Sequence, residues 1–216
     1  KKSRDHTELL FKYLKIPIKI KKEKKFDLIK LKGLEKIKSL NYQIPGDISS
    51  SAFFIVLTIL SAGSQLLIKN ININPSRIGV INILKKMGAY IKFKNQKIYK
   101  GEKIADIFVK SSKKLRSIDC PKEWNSSAID EFLIIFLVAA RAKGVSSFSN
   151  LEELNKKESP RLKLGSKLLI KMGIKNKMTK NSIKIFGNPN IHLKKNVRIG
   201  NYLKDHRVFM TSVIAA

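Results

Sequence analysis

Cysteine is almost missing from the 216 residues, with Cys120 standing alone. One thiol excludes an intramolecular disulfide framework and any cysteine-rich zinc site, and it suits a reducing cytoplasm. Cys120 is expected to be a small buried apolar residue rather than a nucleophile. Long apolar runs are missing too. The two longest, residues 52–60 and 132–140, have nine residues each, about half of what a bilayer-spanning helix requires. They read as buried core helices, and no membrane is expected as a partner. Acidic residues are scarce, 16 against 45 lysines and arginines, for a formal charge of +29.

Such an imbalance points first to nucleic acid or an anionic surface. A nucleic-acid module, however, gathers its cations on one face or tail and interleaves aromatics where single strands are stacked. Here lysines run the whole length. The densest stretch, residues 19–25 with Lys30 and Lys32, reads as strand, turn and strand with only Phe26 as an aromatic. The charge is therefore expected to be mostly solvated surface, with no nucleic acid as partner. Handling of small polyanions stays open. What is present in quantity is apolar, 43% of the chain, enough for a real core.

The chain begins without methionine, and no apolar stretch of signal-peptide type follows its first charges. It ends inside an apolar helical pattern with no cap, Gly or Pro. An internal piece of a longer cytoplasmic protein is the expectation.

Self-similarity organises the sequence. Gly46-Asp47-Ile48-Ser49-Ser50 opens an apolar helix that stops at Gly63 before a strand; Ile129-Asp130-Glu131 opens another that stops at Gly144 before a strand; Asp205-His206-Arg207 begins a third. Between them lies a second kind of helix, opened by Asn74-Pro75-Ser76-Arg77 and by Glu158-Ser159-Pro160-Arg161 and closed by Met87-Gly88 and Met172-Gly173, with an earlier copy opened by residues 3–8. Ser3 or Asp5, Asn74 and Ser159 are expected caps. The class is α/β, each unit pairing two helices with short strands. Arg4, Arg77, Arg161 and Arg207 all fall at the start of a helix by this reading, where the positive end of the macrodipole disfavours a cation by about 0.3–1 kcal/mol. Something negative must offset them: for one arginine alone a neighbouring carboxylate such as Asp5 or Glu158 would serve, but four recurrences point to a phosphate or carboxylate held in a cleft that several helix starts share.

Taken in order, Ser3-Arg4-Asp5-His6, Pro45-Gly46-Asp47-Ile48-Ser49-Ser50, Asn74-Pro75-Ser76-Arg77, Ile129-Asp130-Glu131, Lys157-Glu158-Ser159 with Arg161, Lys171-Met172-Gly173 and Asp205-His206-Arg207 resemble the 5-enolpyruvylshikimate-3-phosphate synthase family. The resemblance covers nearly the whole chain and is weakest over about 176–200. It implies the enolpyruvyl transferase fold: two domains of repeated βαβαββ units around a pseudo-threefold axis, incomplete here. Residues 1–43 would close the first domain and 44–216 form most of the second. It also implies transfer of the carboxyvinyl group of phosphoenolpyruvate to the 5-hydroxyl of shikimate 3-phosphate, in the shikimate pathway. No metal or organic cofactor is implied, and the complete enzyme would be a monomer.

By position the resemblance assigns catalysis to Asp130, Lys157 and Glu158. Shikimate 3-phosphate would be bound by Ser3, His6, Asp130 and Lys157, and phosphoenolpyruvate by Arg161, His206 and Arg207. Read in isolation, Asp130 is a helix cap, and Lys157-Glu158 is a surface pair. Asp47, Ser49 and Ser50 read as a helix start near the crossover between domains. Three departures bear on the site: Pro160 stands where many members carry Asp beside the arginine, Asn155-Lys156-Lys157 where many carry Arg-Val-Lys, and Glu153 where some carry a substrate-contacting Asn. A related transferase acting on UDP-N-acetylglucosamine, a noncatalytic basic nucleic-acid-binding protein and an inactive fragment are the alternatives. The isolated 216 residues are expected to be inactive, because a cleft enzyme without one wall cannot close on its substrates.

Overall fold

Two helices that are apolar almost all round must be enclosed, and the fold is built on them. They are α2 (Ile48–Leu60) and α4 (Phe132–Arg141), and every residue of α4 from Phe132 to Ala140 is buried. The computed structural model describes residues 4–24, 26–33, 36–37, 39–191 and 204–216.

Around α2 runs one complete repeat. Gly46 forms a short parallel bridge to Ile71 ahead of α2. After α2 come β3 (Gln65–Asn72), α3 (Gly79–Lys86) and the hairpin β4 (Tyr90–Tyr99) and β5 (Glu102–Lys110), in the antiparallel order β3-β5-β4. The pattern returns around α4. Arg116 and Asp119 make parallel bridges to Lys143 and Ser147, and then follow β6 (Gly144–Phe148), α5 (Arg161–Lys171), β7 (Asn176–Met178) and β8 (Ile183–Gly187), ordered β6-β8-β7. This is βαβαββ twice over, and α6 (His206–Ala215) opens a third turn. Ahead of them, α1 (His6–Tyr13) and the hairpin β1 (Ile18–Lys22) and β2 (Asp27–Leu31) match the second half of such a unit. Helices α2, α4 and α6 pack against one another, α3 and α5 pack against α4, and so the inner helix starts meet at one end of the core.

The core is one continuous apolar cluster with an aromatic centre, where Phe136 and Phe148 lie 5.2 Å apart between ring centroids. Close approach fixes two glycines. Lys100 and Gly101, at φ 47° and 91°, make the two-residue turn between β4 and β5, and a Cβ on Gly101 would stand 2.8 Å from the Leu9 carbonyl oxygen of α1. At Gly187 a Cβ would stand 2.2 Å from the Ala142 carbonyl oxygen and 2.4 Å from that of Ala139. Backbone cannot yield as a flexible side chain can, so Gly187→Ala lowers stability by about 1–3 kcal/mol, read as a lower denaturation midpoint with little change in m-value.

The helix starts differ from the sequence reading in four places. Arg4 and Arg77 lie just ahead of α1 and α3, not in their first turns. The Asn74 side-chain carbonyl accepts from the Ser76 amide at 2.8 Å, and this local turn uses up the residues before Gly79. Ser159 does not cap α5, because its hydroxyl donates to Asp205 at 2.6 Å and Pro160 holds the cap position. Asp130 does not cap α4 either; Glu131 stands there, without a side-chain cap bond. Asp47 and Asp205 do cap α2 and α6, accepting from the Ser50 amide and from the Arg207 and Val208 amides.

Candidate functional site

Asp130, released from capping, is a carboxylate among cations. Its side chain is 13% exposed and pairs with Arg4 from ahead of α1, with Lys157 at 3.5 Å and with Arg161 at 3.6 Å. Arg207 donates to its backbone carbonyl at 3.0 Å. Burial works against ionisation of Asp130, but Arg207, Arg4 and Lys157 outweigh it and hold the carboxyl below the usual carboxylate value. Asp130 is therefore a charged group at neutral pH, able to accept a hydrogen bond from a hydroxyl or, transiently, its proton.

Arg161 is the deepest member of the cluster, 2% exposed at the first position of α5. Its Nε donates to Asp205 at 2.9 Å, and its fork also reaches Glu158. Asp205 is fully buried and is satisfied by Ser159, Arg161 and the first amides of α6. Burial pushes its carboxyl up, the Ser159 and Arg161 hydrogen bonds pull it further down, and the net position lies below the ordinary value. The departure at Pro160 thus leaves Arg161 well held, by Asp205, Glu158 and Asp130. Glu153 is exposed and sits 3.8 Å from Lys157.

Behind these lies a second layer at the junction of the inner helices. Glu131 is 3% exposed, accepts from the Ser49 hydroxyl at 2.5 Å and lies 3.7 Å from Arg207. Arg77 donates to Ser49 at 2.6 Å and to Asp47 at 3.2 Å. The partners that the structure shows for the four arginines singled out by the repeat are the chain's own carboxylates, the Ser49 hydroxyl and, for Arg207, the Asp130 backbone carbonyl, where their recurrence had suggested a shared anion.

A cleft of about 680 Å³ opens beside the cluster, lined among others by Arg4, Asn74, Trp124, Glu153 and Lys157. A second cavity, of about 370 Å³, lies by the start of α1 and is lined by His6, Asp47, Arg77, Lys100 and Glu102. His6 belongs to this second cavity. Its Nδ1 meets Glu102 of β5 at 2.5 Å, and Asn74 links Glu102 to Asp5 at 3.2 and 2.8 Å. His206 is exposed at the first position of α6. Ser3 lies outside the described residues.

Of the residues singled out by sequence, Asp130, Lys157, Glu158, Arg161 and Arg207 form one connected cluster, while His6 and His206 stand apart from its hydrogen bonds. Spacing did not signal the parts of Glu131, Asp205 and Ser159, although all three lie inside the repeated motifs. Cys120 is buried, and burial pushes its thiol up to about 12, as befits a packing residue. Among the described residues, no three His, Cys, Asp or Glu side chains are grouped to hold a metal ion, and no helix is long and apolar enough to cross a membrane.

The chain is similar to known proteins over its whole length. The family model described as EPSP synthase (3-phosphoshikimate 1-carboxyvinyltransferase) matches residues 1–216. The chain is 37% identical over 215 residues to the 3-phosphoshikimate 1-carboxyvinyltransferase of Petrotoga mobilis, covering 99% of this chain and 48% of that protein. With the enzyme of the same name from Ruthia magnifica it shares 38% identity over 214 residues, covering 99% and 47%. The EPSP synthase structure from Acinetobacter baumannii superposes with a TM-score of 0.86 at 36% identity, over 100% of this chain and 48% of that one. The chain spans about half the length of the curated relatives it matches. With the ordered motifs, the repeated βαβαββ units and these likenesses together, the chain belongs to the EPSP synthase family.

Proposed function

We propose that the complete gene product transfers the carboxyvinyl group of phosphoenolpyruvate to the 5-hydroxyl of shikimate 3-phosphate, giving 5-enolpyruvylshikimate 3-phosphate and inorganic phosphate. One observation carries this reading: in a chain of the EPSP synthase family, Arg4, Lys157 and Arg161 converge on the single carboxylate of Asp130. In this reading residues 1–43 end a first domain, 44–216 form most of a second, and the substrates lie between the two. The complete protein works as a cytoplasmic monomer, with neither nucleic acid nor cofactor as partner, and the 216 residues alone turn nothing over.

The reaction is an addition followed by an elimination. In the addition the acceptor oxygen bonds to C2 of phosphoenolpyruvate, its proton is taken by a base, and the methylene carbon gains a proton to become a methyl group. In the elimination a methyl proton leaves, the C2–phosphate bond breaks, and the double bond returns. Asp130 holds the acceptor hydroxyls and takes the proton of the 5-hydroxyl, with Lys157 beside it, while Glu158 gives a proton to the methylene carbon in the addition and takes one from the methyl group in the elimination. Arg161 and Arg207 offer planar forks to the carboxylate and phosphate of phosphoenolpyruvate, with His206 as a phosphate contact. Ser3 and His6 hold shikimate 3-phosphate.

The family, the Asp130 cluster and the buried arginine support these roles. Phosphate release with phosphoenolpyruvate and either shikimate 3-phosphate or UDP-N-acetylglucosamine tests the reading. Release with shikimate 3-phosphate alone is expected; release only with the UDP-sugar moves the activity to the other acceptor, and release with neither removes it.

A further inference from the structure

A buried carboxylate 3.7 Å from an arginine that serves an anionic substrate looks counterproductive, since it already occupies part of that arginine's charge. Glu131 is such a group. It sits where α2, α4 and α6 meet, and among the described residues these groups face it. Ser49 donates to it from α2, Arg207 approaches from α6, Arg77 lies beyond Ser49 from ahead of α3, and Asp130 is the neighbouring residue on its own segment.

We infer that Glu131 is a positioning residue for Arg207, holding its guanidinium in place when no anion is bound and taking up a proton from bulk buffer when phosphoenolpyruvate binds to that arginine. The inference rests on the reading of Arg207 as a phosphoenolpyruvate contact. Geometry supplies the first half. One Nη of Arg207 is shared between the Asp130 carbonyl at 3.0 Å and Glu131 at 3.7 Å, which orients the fork, and among the described residues its other guanidinium N–H groups make no hydrogen bond. Electrostatics supplies the second. Burial pushes the Glu131 carboxyl up, the Ser49 hydrogen bond and Arg207 pull it only partly back, and Asp130 pushes it up again. An incoming anion adds a further negative charge beside it and cancels the pull of Arg207, so protonation becomes the favourable response. The protonated carboxyl keeps its hydrogen bond with Ser49 and gives up its claim on the guanidinium.

Calorimetric titration of the complete gene product with phosphoenolpyruvate, in two buffers of different ionisation enthalpy at one pH, reads the proton directly. Wild type is expected to take up more protons than Glu131→Gln. The ratio of KM for phosphoenolpyruvate, wild type over Glu131→Gln, is expected to climb about tenfold per pH unit once Glu131 ionises in the free enzyme, with kcat changing much less. Ser49→Ala, which removes one of the bonds that favour the charged form, shifts that climb to higher pH. Equal proton uptake by wild type and Glu131→Gln, with a KM ratio flat in pH, overturns the inference; so does a Ser49→Ala profile that coincides with wild type. Should wild type release no phosphate from phosphoenolpyruvate and shikimate 3-phosphate, the proposed function fails instead, and the same difference in uptake, read with inorganic phosphate as the probe, still decides the part of Glu131.

Discussion

Asp130→Asn is expected to lower kcat of the complete gene product by about a thousandfold while the fold survives, a loss within the range of a positioned acid or base. The amide keeps the size of the carboxylate and can still accept a hydrogen bond, but it carries no charge and takes up no proton. Arg4, Lys157 and Arg161 would lose their common partner together. Stability would suffer less, because Asp130 caps no helix and lies outside the apolar core. Steady-state kinetics alongside a thermal melt checks both halves. Turnover near that of wild type would remove Asp130 from the chemistry, and a collapsed melt would make it a structural residue.

The second large effect falls on stability. Arg161→Ala leaves Asp205 buried without its Nε–H partner and takes one partner each from Glu158 and Asp130. Breaking a buried pair from one side costs about 3–5 kcal/mol, because the remaining charge stays in place without compensation. The pH dependence has a definite sign. The folded-state carboxyls of Asp205 and Asp130 lie below their ordinary value of 3.8, so their ionised forms add stability that is fully present above that value. This stability is lost as pH falls through the lower folded values. The gap between wild type and Arg161→Ala is therefore widest near neutrality and narrows in acid below 3.8. Denaturation midpoints at neutral and acid pH measure it; a gap that does not change with pH would mean that Arg161 contributes packing alone.

The inner helices were legible because composition alone demands their burial: no amphipathic stripe leaves residues 132–140 another place to go. The repeat was legible through its punctuation, with Gly63 and Gly173 in turns and Gly144 at the first residue of β6, all at positive φ. The site was legible only in part. Asp47, Asp130 and Asp205 read alike as helix starts, yet two cap their helices and the third does not. In the second unit the cap position falls one residue later, on Glu131, which turns Asp130 toward Arg4 and Lys157. A shift of one residue leaves no trace in a periodic pattern. Nor does a pattern reveal that Arg161 finds Asp205 44 positions away, or that Ser49 and Glu131 meet across 82. These bonds form because the helix starts converge, and that convergence belongs to packing. Recurrence of arginine at the helix starts hinted at a shared anion and not at these pairs; that Arg4 meets Asp130 and Arg77 meets Ser49 is visible only in the packing.

The most direct measurement follows the hydrogen atoms. The complete gene product is run in D2O with phosphoenolpyruvate and shikimate 3-phosphate, and the product is read by proton NMR. Addition and elimination through a methyl group predicts an enolpyruvyl ether formed in step with phosphate release, with deuterium entering its vinyl methylene, and almost no ether from Asp130→Asn. Phosphate released together with pyruvate and no ether, or ether whose methylene stays wholly protiated, would contradict carboxyvinyl transfer at the Asp130 cluster.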